Sequence, residues 1–158
     1  MLRAGTLDDI GFVRAVVGRP ENAPYLTDED ETALAVYLAD PTTRLLIWGE
    51  ARGFAIFCDI GKPSGSVCLM RLALDAPGQG EGAAFLRALV DYGFDSLNAR
   101  RLWLDCSGEN LRAQKAYVRT GFVLEGRLRQ HEYVPRIDRV IDTLLYGMLR
   151  TDWDALPR

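Results

Sequence analysis

A chain of 158 residues, 48% of them apolar and 26% charged, is long enough to bury one sizeable core and too apolar to remain disordered. Its formal charge of -3 comes without any Lys/Arg run, which argues against a nucleic-acid groove, and no apolar run approaches the ~20 residues that a membrane helix needs. The first residues, Met1 to Thr6, lack a signal-peptide core. One domain over residues 1–158, acting in the cytoplasm, is expected.

The elements follow in chain order. A short strand at Leu2 to Ala4 leads to Thr6, a plausible N-cap with Asp9 three residues on, and Leu7, Ile10, Val13 and Val17 recur at helical spacing. Residues 18–26 hold two prolines and read as a loop. Thr27 is expected to cap a second helix whose first turn is Asp28-Glu29-Asp30-Glu31, carboxylates that suit the positive end of the helix dipole. Three apolar runs, 44–48, 54–59 and 66–74, read as an antiparallel meander with glycine-bearing turns at 49–53 and 61–65. The period then turns helical, with Leu86, Val90, Phe94 and Leu97 on one face. A strand at 101–106, a helix at 109–120 and strand-like runs at 122–128 and 140–149 complete the order β-α-α-β-β-β-α-β-α-β-β. That order defines an α/β (α+β) domain with a mixed, mostly antiparallel sheet flanked by helices.

Cys58, Cys68 and Cys106 lie far apart in apolar stretches and read as reduced thiols in strands. With no C-x-x-C pair and His131 as the one histidine, no metal site is expected. Two segments do suggest chemistry. The strand 67–74 ends in Asp75-Ala76-Pro77 and runs into Gly78-Gln79-Gly80-Glu81-Gly82 at the start of a helix. Alternate glycines let the backbone curl without a Cβ in the way, and the free N–H groups of the helix then accept a pyrophosphate or another anion. The absence of a Lys-Ser/Thr pair argues against a P-loop. The preceding antiparallel strands argue against a dinucleotide fold. In the second segment Asn110, Ala113 and Tyr117 share one face of a helix that closes at Gly121. Tyr117 there is either a half-buried core residue or a phenol presented to a ligand.

Together these segments resemble the GCN5-related N-acetyltransferase superfamily, and most closely its branch that acetylates ribosomal-protein N-termini. The turn 77–82 resembles that family's Q/R-x-x-G-x-G/A loop. Residues 110–122 (NLRAQKAYVRTGF) resemble its N-x-R-A-x-x-x-Y-x-x-x-G-F segment. Residues 125–129 and 150–153 also look like that branch.

The resemblance implies an acetyl-CoA-dependent transfer of acetyl to a primary amine by direct attack. Leu72 and Leu74 would pair with the pantetheine arm through their main chain. Gln79, Gly80, Gly82 and Ala83 would bind the pyrophosphate. Asn110 and Ala113 would flank the pantetheine, and Tyr117, as catalytic acid, would face the sulfur. Acetyl-CoA would be a co-substrate, no metal would be needed, and the chain would work as a monomer or homodimer on an amine of a protein N-terminus or small molecule. Two positions depart from the family pattern. Pro77 stands where a Gln or Arg is usual, and the strand 66–74 carries no glutamate to act as base. Asp75, Asp105 and Glu109 lie near but read as strand-end or cap residues, so water is an alternative base and the assignment stays open. The rival readings are an aminoglycoside- or polyamine-type acceptor and a non-catalytic acyl-CoA-binding module. The segments 18–27 and 130–139 are expected loops beside the acceptor, with His131 as either a wall of that site or a solvated residue.

Overall fold

The strand-forming runs pair largely with their chain neighbours. In the computed structural model, which describes residues 1–158, β1 (Leu2–Ala4), β2 (Arg44–Trp48), β3 (Gly53–Cys58), β4 (Ser66–Leu74), β5 (Arg101–Ser107), β6 (Val123–Val134) and β7 (Arg139–Leu149) form one seven-stranded sheet. The order is β1-β2-β3-β4-β5-β7-β6, antiparallel throughout except between β4 and β5. A parallel neighbour needs a crossover connection, and α3 (Gly82–Asp91), prolonged by a π turn at Tyr92–Ser96, supplies it.

Period-two alternation sorts the side chains onto two faces. On one face Leu45, Ile47, Phe54 and Ile56 meet α1 (Ile10–Val17) and α2 (Glu31–Ala39). On the other, Leu46, Phe57, Leu69 and Leu104 meet α3 and α4 (Leu111–Thr120) through Phe85, Leu89 and Tyr117. A short helix, α5 (Arg150–Asp154), seals that second cluster by stacking Trp153 on Phe94.

Several boundaries move from their expected places. The second helix starts at Glu31 rather than at Asp28, because Asp30, not Thr27, caps it: the Asp30 carboxylate takes the N–H of Ala33 at 2.8 Å. Asp28 and Glu29 are thereby freed to pair with Arg14 and Arg71. Residues 130–139 are mostly strand: β6 runs on to Val134, and only residues 135–138 turn. Glu109 and Asn110 precede α4, since the Asn110 side chain caps it by accepting from Ala113 N–H at 3.2 Å. Gly121, with φ of 113°, ends the same helix, and the N–H groups of Gly121 and Phe122 both donate to the Tyr117 carbonyl.

The first helical segment opens with a tight turn at Leu7–Asp9 before α1. Buried Asp9 accepts two hydrogen bonds from Arg3, at 2.9 and 2.8 Å, and one from Thr6 N–H at 2.8 Å. The Arg3 contact, aided by Thr6, holds the Asp9 carboxyl below the usual carboxylate range. Asp9→Ala should therefore cost about 2 kcal/mol in urea unfolding at pH 7. A depressed folded-state value stabilises the protein above the unfolded value, near 4, and loses that effect as pH falls through it. The gap between wild type and variant should shrink below about pH 4.

Candidate active site

β4 and β5 stay together for only three rungs, Ser66 with Arg101, Val67 with Leu102 and Cys68 with Trp103. Beyond them the strands part. In β4 the register against β3 slips, leaving Met70 as an extra residue between Leu69 and Arg71, and such a bulge bends and twists its strand. The Asp75 N–H donates to the Arg52 carbonyl at 2.9 Å. Alternation in an antiparallel pair then turns Ala73 and Arg71 toward β3, and the main-chain groups of Leu72 and Leu74 toward the gap left by β5. Asn22, buried, clamps the end of this strand: its amide donates to the carbonyls of Val16 at 3.0 Å and Leu74 at 2.9 Å.

The parting strands open a cavity of about 430 Å³ that reaches both faces of the sheet. On the α3/α4 face it is walled by Leu72, Phe85, Asn110, Ala113, Ala116 and Tyr117. On the α1/α2 face lie Tyr25, Leu26, Thr27, Arg71, Asp105 and His131. Of the site residues expected from sequence, Leu72, Leu74, Gly82, Asn110, Ala113 and Tyr117 line it together. Gln79, Gly80 and Ala83 do not line it but stand exposed on the turn beside it, between and next to the lining residues Gly78 and Gly82. Gly78 and Gly80 have φ of 86° and 85°, the left-handed region, and a Cβ at either would meet no atom within 4 Å. The turn is both bent by its glycines and open to a ligand. Pro77 also lines the cavity, and Glu81 is held by an ion pair with Arg52.

Tyr117 is 6% exposed, and its ring lies edge-on to Phe122 and Tyr146. Its hydroxyl forms none of the side-chain hydrogen bonds of the protein, yet it is not a sealed-off orphan, because the cavity reaches it. Burial, with the neighbouring Cys106, Asp105 and Tyr146, pushes this phenol far above its ordinary value, so it stays protonated. Burial likewise pushes the Cys106 thiol up to about 12, which leaves no thiolate there to act as a nucleophile. Cys58, Cys68 and Cys106 are all free thiols.

The three acidic residues near the motifs separate clearly. Asp75 accepts from Arg19 at 2.8 Å, and Glu109 from Arg139 at 2.7 Å. Asp105 has neither an ion pair nor a hydrogen-bond donor among these contacts and opens into the cavity. Asp105 is exposed to the solvent of the cavity, yet the fold around it still desolvates the carboxyl enough to raise it above the usual range against the opposing pull of Arg71 and His131. Arg71, Asn22 and Thr143 escaped the sequence reading, whereas Asp105 was considered there and read as a strand-end or cap residue. Arg71 left a trace, as a charged residue inside an otherwise apolar strand. No cluster of three or more His, Cys, Asp or Glu side chains is close enough to hold a metal ion, and no helix is long and apolar enough to cross a membrane.

A two-faced cavity at a split parallel seam, beside an anion-accepting turn, has the makings of a group-transfer site with separate entrances. The chain belongs to the acetyltransferase (GNAT) family, whose pattern it matches over residues 10–122. Over 76 residues it is 32% identical to an uncharacterized N-acetyltransferase, p20, of Bacillus licheniformis, a stretch spanning 48% of this chain and 42% of that one. A spermidine N-acetyltransferase from Vibrio cholerae, solved with CoA and spermine, superposes with a TM-score of 0.84 at 22% identity, covering 97% of this chain and 96% of the other. A dodecameric structure of the spermidine N-acetyltransferase from Vibrio cholerae gives 0.79 at 23% identity, with 97% and 95% covered. At these identities the two likenesses bear on the fold alone.

Proposed function

We propose that the chain transfers the acetyl group of acetyl-CoA to the α-amino group of a polypeptide, as the branch that modifies ribosomal-protein N-termini does. The donor enters from the α3/α4 face and the amine from the α1/α2 face. The observation that carries the reading is the cavity itself, which crosses the sheet where β4 and β5 part. The donor's pyrophosphate sits on the main-chain N–H groups of Gln79, Gly80, Gly82 and Ala83, at the positive end of α3. Pro77 offers no polar side chain, so these N–H groups carry the contact. The pantetheine arm pairs with Leu72 and Leu74 and passes Asn110 and Ala113. Its thioester then lies beside Tyr117, with a strand N–H to polarise the carbonyl. Attack by the neutral amine expels a thiolate, and the Tyr117 phenol supplies its proton.

A polypeptide acceptor is favoured by the space beyond the amine's entrance. His131 lines the main cavity and also a shallow depression formed by Arg127, Leu128, Arg129, Gln130 and Asp142, where β6 bulges against β7. That depression gives the residues after the first a place to lie. All these groups come from one chain, so a monomer or homodimer suffices, and the three free thiols suit a reducing cytoplasm. The test measures thiol release from acetyl-CoA with three acceptors: a short lysine-containing peptide, the same peptide with its α-amine formylated, and spermidine. Only the free peptide should react. Turnover of spermidine without the peptide would overturn the acceptor class and keep the transfer. Silence with all three would overturn the reading altogether.

A further inference from the structure

All three cysteines lie in strands, and two of them face each other. We propose that Cys58 and Cys68 are a redox site, a cross-strand thiol pair that a peroxide closes to a disulfide and a dithiol reductant reopens. The inference stands apart from the transferase reading, since neither residue lines the cavity.

The strand register carries it. Cys58, the last residue of β3, is the direct partner of Cys68 on β4. Directly opposed residues of an antiparallel pair hold their Cα atoms about 4.5 or 5.5 Å apart, inside the ~4.4–6.8 Å that a disulfide spans. Period-two alternation puts both side chains on one face. Ile56 and Cys58 belong to the α1/α2 side with Cys68 opposite, while Phe57, Val67 and Leu69 belong to the other. Cys106 packs against the cluster on that other face and has no cysteine across from it.

Their surroundings give the two sulfurs different parts. Cys58 is half-buried, whereas Cys68 is 6% exposed. A hydrogen bond from the Cys68 thiol holds Cys58 below the usual thiol range, helped by Lys62 and Arg71 and opposed by burial and Asp59. The same bond, with burial and the carboxylates of Asp105 and Asp59, pushes Cys68 up. The thiolate is the form that an oxidant attacks, so Cys58 reacts first and Cys68 waits beside it as the resolving thiol. With hydrogen peroxide the Cys58 sulfur takes one oxygen, the O–O bond breaks, and the thiol proton leaves with the other oxygen as water. The Cys68 sulfur then attacks the Cys58 sulfenic acid. The S–O bond breaks, and the departing hydroxyl takes the Cys68 proton as a second water. Two thiols have lost two electrons and two protons, and the peroxide has gained them. In a reducing compartment such a bond is temporary, which makes the pair a sensor of oxidant rather than a staple.

The experiment treats the folded protein with hydrogen peroxide, caps the remaining thiols with N-ethylmaleimide in denaturant, and reads the peptides by mass spectrometry. One cross-link should appear, joining the Cys58 and Cys68 peptides, with Cys106 recovered in capped form. Dithiothreitol should return both thiols. Oxidation should raise the melting temperature by several degrees, because the bond closes a loop in the unfolded chain. Cys68→Ser should stop at the Cys58 sulfenic acid, trapped by dimedone, and show no such rise. In the wild type, a cross-link to Cys106 or between molecules would overturn the inference. So would Cys58 driven to the sulfinic acid with Cys68 still free, or three thiols untouched by peroxide. A melting temperature that falls on oxidation would overturn it too, since the bond would then form only by distorting the strands.

Discussion

Tyr117→Phe should lower kcat roughly 10²-fold or more, while the KM for acetyl-CoA stays within a few-fold and the melting temperature barely moves. The ring is what packs: it meets Phe122 and Tyr146 edge-on, and phenylalanine keeps both contacts. No protein group depends on the hydroxyl for a hydrogen bond, so its removal orphans nothing. As the proposed acid, the hydroxyl would act in the transition state, when charge collects on sulfur. The upward displacement of its proton affinity does not disqualify it. The same burial raises the proton affinity of a thiolate held beside it, so the difference between the two, which governs the transfer, changes less than either value. Paired thermal unfolding and steady-state kinetics on one preparation decide the matter. Full kcat in the variant would take Tyr117 out of the reaction and leave solvent as the proton source.

Gly80→Asp should abolish acetyl-CoA binding. At a hundred times its dissociation constant the ligand stabilises the folded chain by about 2.7 kcal/mol, a rise of roughly 5–10 °C for a domain of this size. The variant adds a carboxylate where the pyrophosphate is proposed to sit, and also strains a residue at φ of 85°. Gly61 allows the two effects to be separated. It has φ of 84° on the turn between β3 and β4, away from the cavity, with no atom within 4 Å of a built Cβ. Gly61→Asp carries the same backbone strain and should keep the full ligand-induced shift. Loss of the shift in both variants would assign the effect to stability. Retention in both would move the pyrophosphate off the turn.

Much of this arrangement was legible in the residues. Glycine at alternate positions after an apolar strand, and Asn110, Ala113 and Tyr117 spaced along one helical stripe, are local signals, and both segments meet at one cavity. Residues 18–27 were expected to lie beside the acceptor, and Tyr25, Leu26 and Thr27 line the cavity. What could not be read depended on contacts between distant segments. That Asp30 rather than Thr27 caps α2 goes with Asp28 and Glu29 pairing with Arg14 and Arg71, which come from distant parts of the chain. The extension of β6 through the expected loop at 130–139 comes from pairing with β7 on both sides of its bulge. The distinction among Asp75, Asp105 and Glu109 belongs to Arg19 and Arg139, which lie 56 and 30 positions from the acids they bind. Nothing local announces those partners.

The three-rung seam between β4 and β5 also bears on how the molecule is held together. The strands before it, β1 to β4, and those after it, β5 to β7, are joined through a ladder that stops partway along both strands. In the proposed reading, a donor lying between them would add rungs to the open end of that ladder. Substrate would then be part of the scaffold while it is being consumed. The two half-sheets should be tied most firmly just before the acetyl group moves, and should loosen again when the spent thiol leaves.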